Sequence, residues 1–146
     1  MKWITWKNIG VDRMACIWLI RRWIDPAAEF SFITVGEKTM FEQGEPFDIP
    51  GTRFSHHDGH CTFYALLKEH NLQDPILTRI AQMVDEADEV QEVTVEPAAL
   101  GLDLICRGLR RISKDDFEAI ERGNLIYNAL YAQLKSDSNL SGADGD

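Results

Sequence analysis

Three of the chain's four histidines and one of its three cysteines fall between positions 56 and 61, in Ser55-His56-His57-Asp58-Gly59-His60-Cys61. Imidazole nitrogen and thiolate sulfur are the usual protein ligands of borderline and soft metal ions, and both also serve acid–base and redox chemistry. On a strand, His56 and His57 would point to opposite faces; a turn, which Asp58-Gly59 signals, lifts that restriction. His56 and Cys61 are separated enough to close a loop around an ion. No CxxC pair accompanies them, which argues against a structural zinc site. From the residues alone the segment reads in two ways: a metal-ligating turn, or a polar surface turn that ends with Cys61 buried as a small hydrophobe at the start of a helix.

A second cluster is Asp85-Glu86-Ala87-Asp88-Glu89. Asp85 and Asp88 share a helix face, where like charges repel unless a cation or arginine lies between them. Alone, the run reads as a solvated helix end. Set against His56, Asp85 and Asp88 complete a three-ligand nitrogen and oxygen set with open positions. A third group lies on the first helix: Asp12, Arg13, Cys16, Arg21 and Arg22. One reading is structural, with arginines at the helix C-terminus, Asp25 as a stop and Cys16 in the core. The other is functional: guanidinium groups of Arg13, Arg21 and Arg22 hold an oxyanion, for which their fixed charge and planar donors are suited, with Cys16 as a redox-active thiol or ligand. Arg107, Arg110 and Arg111, late in a further helix, complement its dipole and receive no role.

The elements that must position these groups follow from periodicity and punctuation. A short strand is expected at the N-terminus around Trp3 and Thr5. Val11 to Ile24 reads as a helix apolar nearly all round, stopped by Asp25-Pro26. Glu29 to Val35 is rich in β-formers. Lys38 to Gly51 reads as a short helical turn plus loop, and Thr52 to Ser55 as a short strand delivering the histidines. Helices follow over Thr62–His70, from the Asp74-Pro75 start to about Asp88, from Glu96-Pro97 to Ile112, and from a Ser113 cap to Leu134. The expected architecture is a helix-dominated α+β domain of about five helices, with a small sheet from the N-terminal third, over residues 1–135. Residues 136–146 read as a disordered acidic tail.

Composition narrows the function classes. A chain of 146 residues, 45% hydrophobic and 27% charged, fits one core. A net charge of -9 excludes nucleic-acid binding through a bulk basic surface. No apolar run reaches membrane-spanning length, and the first residues lack the apolar core of a secretory signal, so a cytoplasmic location is expected. Three scattered cysteines are not a disulfide framework. Four tryptophans and long apolar helices supply a core and a homodimer face.

Against these residues the chain resembles a known family. Val11-Asp12-Arg13-Met14-Ala15-Cys16-Ile17-Trp18-Leu19-Ile20-Arg21-Arg22-Trp23-Ile24-Asp25-Pro26 resembles the opening motif of chromate resistance proteins of the ChrB C-terminal type. His56-His57-Asp58-Gly59-His60-Cys61-Thr62-Phe63 is similar to that family's central His…Cys-Thr-Phe motif, and Val84–Asp88 and Glu96-Pro97-Ala98-Ala99-Leu100-Gly101-Leu102 to its later segments. The likeness covers residues 1–135. It departs at Ile17, where the family pattern has proline, which implies a more regular first helix. It departs also at His60, where a basic or small residue is usual, making His60 a weak ligand candidate. The resemblance implies a link to chromate resistance, in part through chromate-responsive regulators in which this domain follows a separate N-terminal one; a stand-alone domain is expected here.

The leading expectation is a metal-binding domain associated with chromate resistance or sensing. His56, Asp85 and Asp88 would be its central ligands, followed by His57 and Cys61, and the ion a divalent transition metal, zinc or iron if Cys61 ligates. Chromate or another oxyanion would be drawn by Arg13, Arg21 or Arg22. Two alternatives stand beside it. One is a thiol- or metal-dependent oxyanion reductase with Cys16 and Cys61 in disulfide reach and, lacking any GxGxxG motif, an external electron source. The other is a non-enzymatic sensor or interaction module.

Overall fold

The structure, a computed structural model, describes residues 1–37, 43–89, 91 and 93–144, with side chains up to 140. Three strands, β1 (Lys2–Trp6), β2 (Glu29–Ile33) and β3 (Glu45–Pro46), form a small parallel sheet in the order β2-β1-β3. Five α-helices stand among the described residues: α1 (Val11–Leu19), α2 (Thr62–Glu69), α3 (Pro75–Asp88), α4 (Ala99–Ile112) and α5 (Asp116–Asp144). The domain is α+β and helix-dominated, as its sequence predicts.

Parallel pairing requires a crossover, and α1 provides it between β1 and β2, with Trp3 opposite Phe30 and Thr5 opposite Phe32. As the central strand, β1 buries Trp3, Ile4 and Thr5 in succession, so both of its faces are covered. Helix α1 explains its all-round apolarity by packing against α2, α3, α4 and α5 at once. Trp18 on α1 lies at the heart of the core, stacked against Phe63 of α2 and Tyr127 of α5. Cys106 is in the core, and so are Trp3 and Trp18, whereas Trp6 and Trp23 are only half-buried.

The details depart from the sequence expectation in four places. The first helix is regular past Ile17 but widens into a π-helical turn over Ile20–Ile24, closed by the Asp25 N–H on the Ile20 carbonyl at 2.6 Å. Thr52–Ser55 makes only a single bridge, Phe47 to Phe54, because Thr52 and Ser55 spend their hydroxyls on the nearby carbonyls of Ile49 and Thr52 and so compete with a ladder. β3 lies in the stretch read as loop, while the helical turn expected from Lys38 falls mostly outside the described residues. The last helix is capped by Asp115, whose carboxylate accepts the Glu118 N–H at 2.8 Å, and not by Ser113, whose hydroxyl donates back to Leu109. Helical backbone continues to Asp144, past the 1–135 boundary read from the sequence. Among the described residues no helix is long and apolar enough to cross a membrane.

Candidate metal centre and its cavity

Asp58 and Gly59 both take left-handed φ values, 52° and 78°, which is the signature of a two-residue type I′ hairpin turn. His57 and His60 flank it as a hydrogen-bonded antiparallel pair, with N···O distances of 3.2 and 2.9 Å. Paired residues share a face, so His57 and His60 project together and line a common cavity of about 610 Å³ with Tyr64, on which the His60 ring stacks. His56, one residue earlier, enters a different cavity. The alternation that separates neighbouring strand residues therefore survives beside the turn, and His57 is not brought to His56.

The hairpin feeds directly into α2, whose N-cap residue Cys61 offers no side-chain cap. Two carboxylates from other helices supply what the helix start lacks. Asp12 of α1, 2% exposed, accepts the Thr62 N–H on one oxygen at 2.9 Å and the Phe63 N–H on the other at 3.1 Å. Asp85 of α3 accepts the Cys61 N–H at 2.6 Å and pairs with His60 Nδ1 at 2.7 Å. Asp85 is thus engaged away from His56. The acidic run divides its labour: Glu86 holds the N–H groups of Val95 and Glu96 ahead of α4, while Asp88 and Glu89 reach His56.

Three carboxylates converge on a single nitrogen. His56 Nε2 lies 3.2 Å from Asp12, 3.5 Å from Asp48 and 3.1 Å from Asp88, while Nδ1 lies 2.5 Å from Glu89. One Nε2–H can satisfy only one acceptor fully. Those hydrogen bonds hold the His56 imidazolium, raising its pKa far above the ordinary range. Asp12 is pushed up to about 6, first by burial and then by the charge of Asp48. The ligand atoms of Asp12, Asp48 and His56 all lie within 4.8 Å of one another, as do those of His56, Asp88 and Glu89. Either group offers a nitrogen and oxygen set suited to a divalent cation.

Asp48 was invisible to sequence reading because it sits in an irregular Pro-Gly loop. Its backbone is left-handed, φ 53°, and it is locked in place from several sides. Thr62 Oγ1 donates to its carboxylate at 2.8 Å, Arg13 Nη2 donates to its carbonyl at 2.9 Å, and its own N–H reaches the Phe54 carbonyl. Arg13 Nε is 3.0 Å from the Asp48 carboxylate but not aligned with it, which leaves a buried donor without a hydrogen-bond partner among the described residues.

These groups line a cavity of about 530 Å³ that opens from His56 toward Arg13 and Arg110. Arg110 comes from the inner face of α4 and donates to the carbonyl of Asn8 at 3.3 Å. Arg21 and Arg22 are elsewhere: Arg21 pairs with Glu121 at 2.9 Å, and Arg22 bonds Asn128 and lies over Trp23 and Tyr131. Of the three arginines proposed for an oxyanion, the structure brings Arg13 to the site and adds Arg110.

The cysteines are buried and free. Cys16 donates to Asp12 at 3.4 Å, and its thiol is pushed well above its ordinary pKa by burial and by the charges of Asp12 and Asp48. Cys61 turns its sulfur toward the Ala81 carbonyl, and burial with the nearby Asp12 raises it as well. Among the described residues neither sulfur joins the groups of ligand atoms that gather around His56, so the candidate centre is one of nitrogen and oxygen.

Comparison with known proteins agrees with this motif reading. The family model described as ChrB, C-terminal domain, matches residues 3–134. Protein ChrB of Cupriavidus metallidurans is 30% identical over 136 residues, covering 92% of this chain and 41% of that protein, so the chain spans about two fifths of the relative's length. No solved structure matches.

Proposed function

The chain belongs to the ChrB C-terminal domain family, which associates it with chromate resistance, and we propose that within that association it is a metal-dependent oxyanion-sensing domain. The proposed ligands are His56 Nε2 with Asp12, Asp48 and Asp88 around one divalent transition metal, with Glu89 orienting the ring through Nδ1. The observation that carries this reading is the excess of acceptors: three carboxylates around one ring nitrogen are one proton's worth of satisfaction and one cation's worth of ligands. A nitrogen and oxygen set of this kind suits iron(II), manganese, nickel or zinc.

Charge accounts for the oxyanion. In the cavity, three carboxylates face the guanidinium groups of Arg13 and Arg110 and the imidazolium of His56, and Glu89 adds a fourth carboxylate on the Nδ1 side of the ring, so the group carries one net negative charge. Exchanging the His56 proton for a divalent ion raises that sum by one, to neutral. A tetrahedral dianion such as chromate then meets the metal and two guanidiniums without net repulsion. Binding of metal and oxyanion is therefore ordered, metal first.

Elemental analysis of protein from metal-replete growth, with calorimetric titration of the metal-stripped protein, tests the reading. About one ion per chain is expected, with chromate binding only to the loaded form. Less than about 0.2 ion per chain together with no titratable binding would reject it.

A further inference from the structure

The outer face of α4 is apolar and uncovered. Leu100 and Leu104 are each 70% exposed, Ile105 50% and Ile112 68%, all on one 14-residue helix. Surfaces of this kind mark contact sites. Along the edge of that surface formed by Ile105 and Ile112 lie Gly101 and the half-buried Gly108, and nothing inside the domain calls for glycine at either position. Both have ordinary helical φ, and a Cβ added at either meets no atom within 4 Å. Gly123 of α5 is the contrast, since a Cβ there would come within 3.3 Å of Met14. Glycine is the poorest ordinary helix former, so Gly108 in mid-helix, with room for a Cβ, points to something that approaches from outside, and Gly101 in the first turn lies on the same stripe.

The spacing identifies it. Gly101, Ile105, Gly108 and Ile112 recur at intervals of four, three and four, the seam of a two-helix packing. The seam alternates small and large and is its own complement when reversed. Laid antiparallel on a second α4, with the twofold axis passing between Cys106 and Arg107, Ile105 sits over the partner's Gly108 and Ile112 over the partner's Gly101. Each contact occurs twice, as a twofold interface requires. A parallel pairing would instead set isoleucine on isoleucine and glycine on glycine, crowding one layer and emptying the next. Arg107, tied to Asp103 at 2.9 Å, stays at the rim.

We propose that the outer face of α4 is a homodimer interface in which two copies of this chain pack α4 against α4 in antiparallel fashion, with Ile105 and Ile112 seated over the partner's Gly108 and Gly101. This interface is independent of the metal reading, because its residues lie on the side of α4 away from Arg110.

Sedimentation velocity of the purified full chain across the micromolar range is expected to show a dimer. Gly108→Leu fills the hole that receives Ile105 and is expected to weaken association by about tenfold or more. The same variant should leave thermal unfolding of the monomer unimpaired, since a Cβ at this position meets no atom within 4 Å. An Ile105→Cys/Gly108→Cys double variant should form an interchain disulfide far more readily than either single variant or the parent, whose own cysteines are buried. A monomer at all concentrations would overturn the proposal and leave the face to a different partner. So would a dimer indifferent to Gly108→Leu, or one that Ile105→Cys alone cross-links as well as the double variant does.

Discussion

Two carboxylate–histidine pairs flank the start of α2, and they are built alike. Asp12 and Asp85 each come from a neighbouring helix, each accept backbone N–H groups of α2 or its cap, and each meet a histidine of the same hairpin. Asp85 and His60 form a finished pair, one donor against one acceptor, with the ring stacked on Tyr64 at 4.4 Å. Asp12 and His56 are unfinished, because Asp48, Asp88 and Glu89 crowd the same imidazole. The capping duty is common to both pairs, so capping cannot explain the surplus of acid on one side. The surplus is what separates a structural pair from a candidate centre.

Substitution can break that comparison in order of size. Asp12→Ala should do the most harm, since it strips α2 of two N–H acceptors and leaves His56 and Arg13 facing a changed charge balance. A loss of about 3–5 kcal/mol in urea unfolding is expected, together with loss of metal binding. Asp85→Ala should cost about 1–3 kcal/mol from the unsatisfied Cys61 N–H, yet leave metal affinity measured by titration within about threefold. If the two variants lost metal equally, the distinction between the pairs would fail.

The next contrast is between the histidines. His56→Ala should weaken metal binding by about 100-fold or more in isothermal calorimetry, whereas His60→Ala should change it little. Asp48→Asn and Asp88→Asn should fall between, each about 10-fold to 100-fold weaker. The smallest effect is on pH. His56 holds its proton far above the ordinary range through Asp12, Asp48 and Asp88, so an incoming metal must displace that proton. Apparent affinity should therefore rise with pH across neutrality, by up to about tenfold per unit, and His56→Ala should flatten the slope. The sign for folding runs the other way. The raised imidazole pKa stabilises the metal-free fold fully below the unfolded value of about 6.5, and that contribution is lost as pH rises through the folded value.

Much of this centre was legible in the sequence, and what was missed was missed for physical reasons. His56 and Asp88 declared themselves through residue type in clusters. Asp85 was read with Asp88 because the two share a helix face, but one turn of α3 moves Asp85 level with the start of α2 and away from His56. Asp12 was seen beside Cys16, and its contact with His56, 44 residues away in sequence, is a product of packing. Asp48 carried no periodic signal, since a left-handed loop residue reports nothing about where its carboxylate points. Arg110 is brought to the cavity by the docking of α4, which its neighbours Arg107 and Arg111 do not share. The helices were legible because their apolar spacing is regular; two-residue β3 and the π turn were not, because each depends on a few hydrogen bonds and leaves no periodic apolar pattern.

The borrowed caps of α2 bear on how the chain folds. Eight residues are too few for a stable isolated helix, and the acceptors for the first N–H groups arrive from α1 and α3. Helix α2 therefore completes only once both neighbours are docked, and contacts spanning 50 residues must close first. The amide protons of Thr62 and Phe63 should in consequence exchange with solvent only through opening of the whole domain, so that the floor of the centre is among the last places to form and the last to breathe.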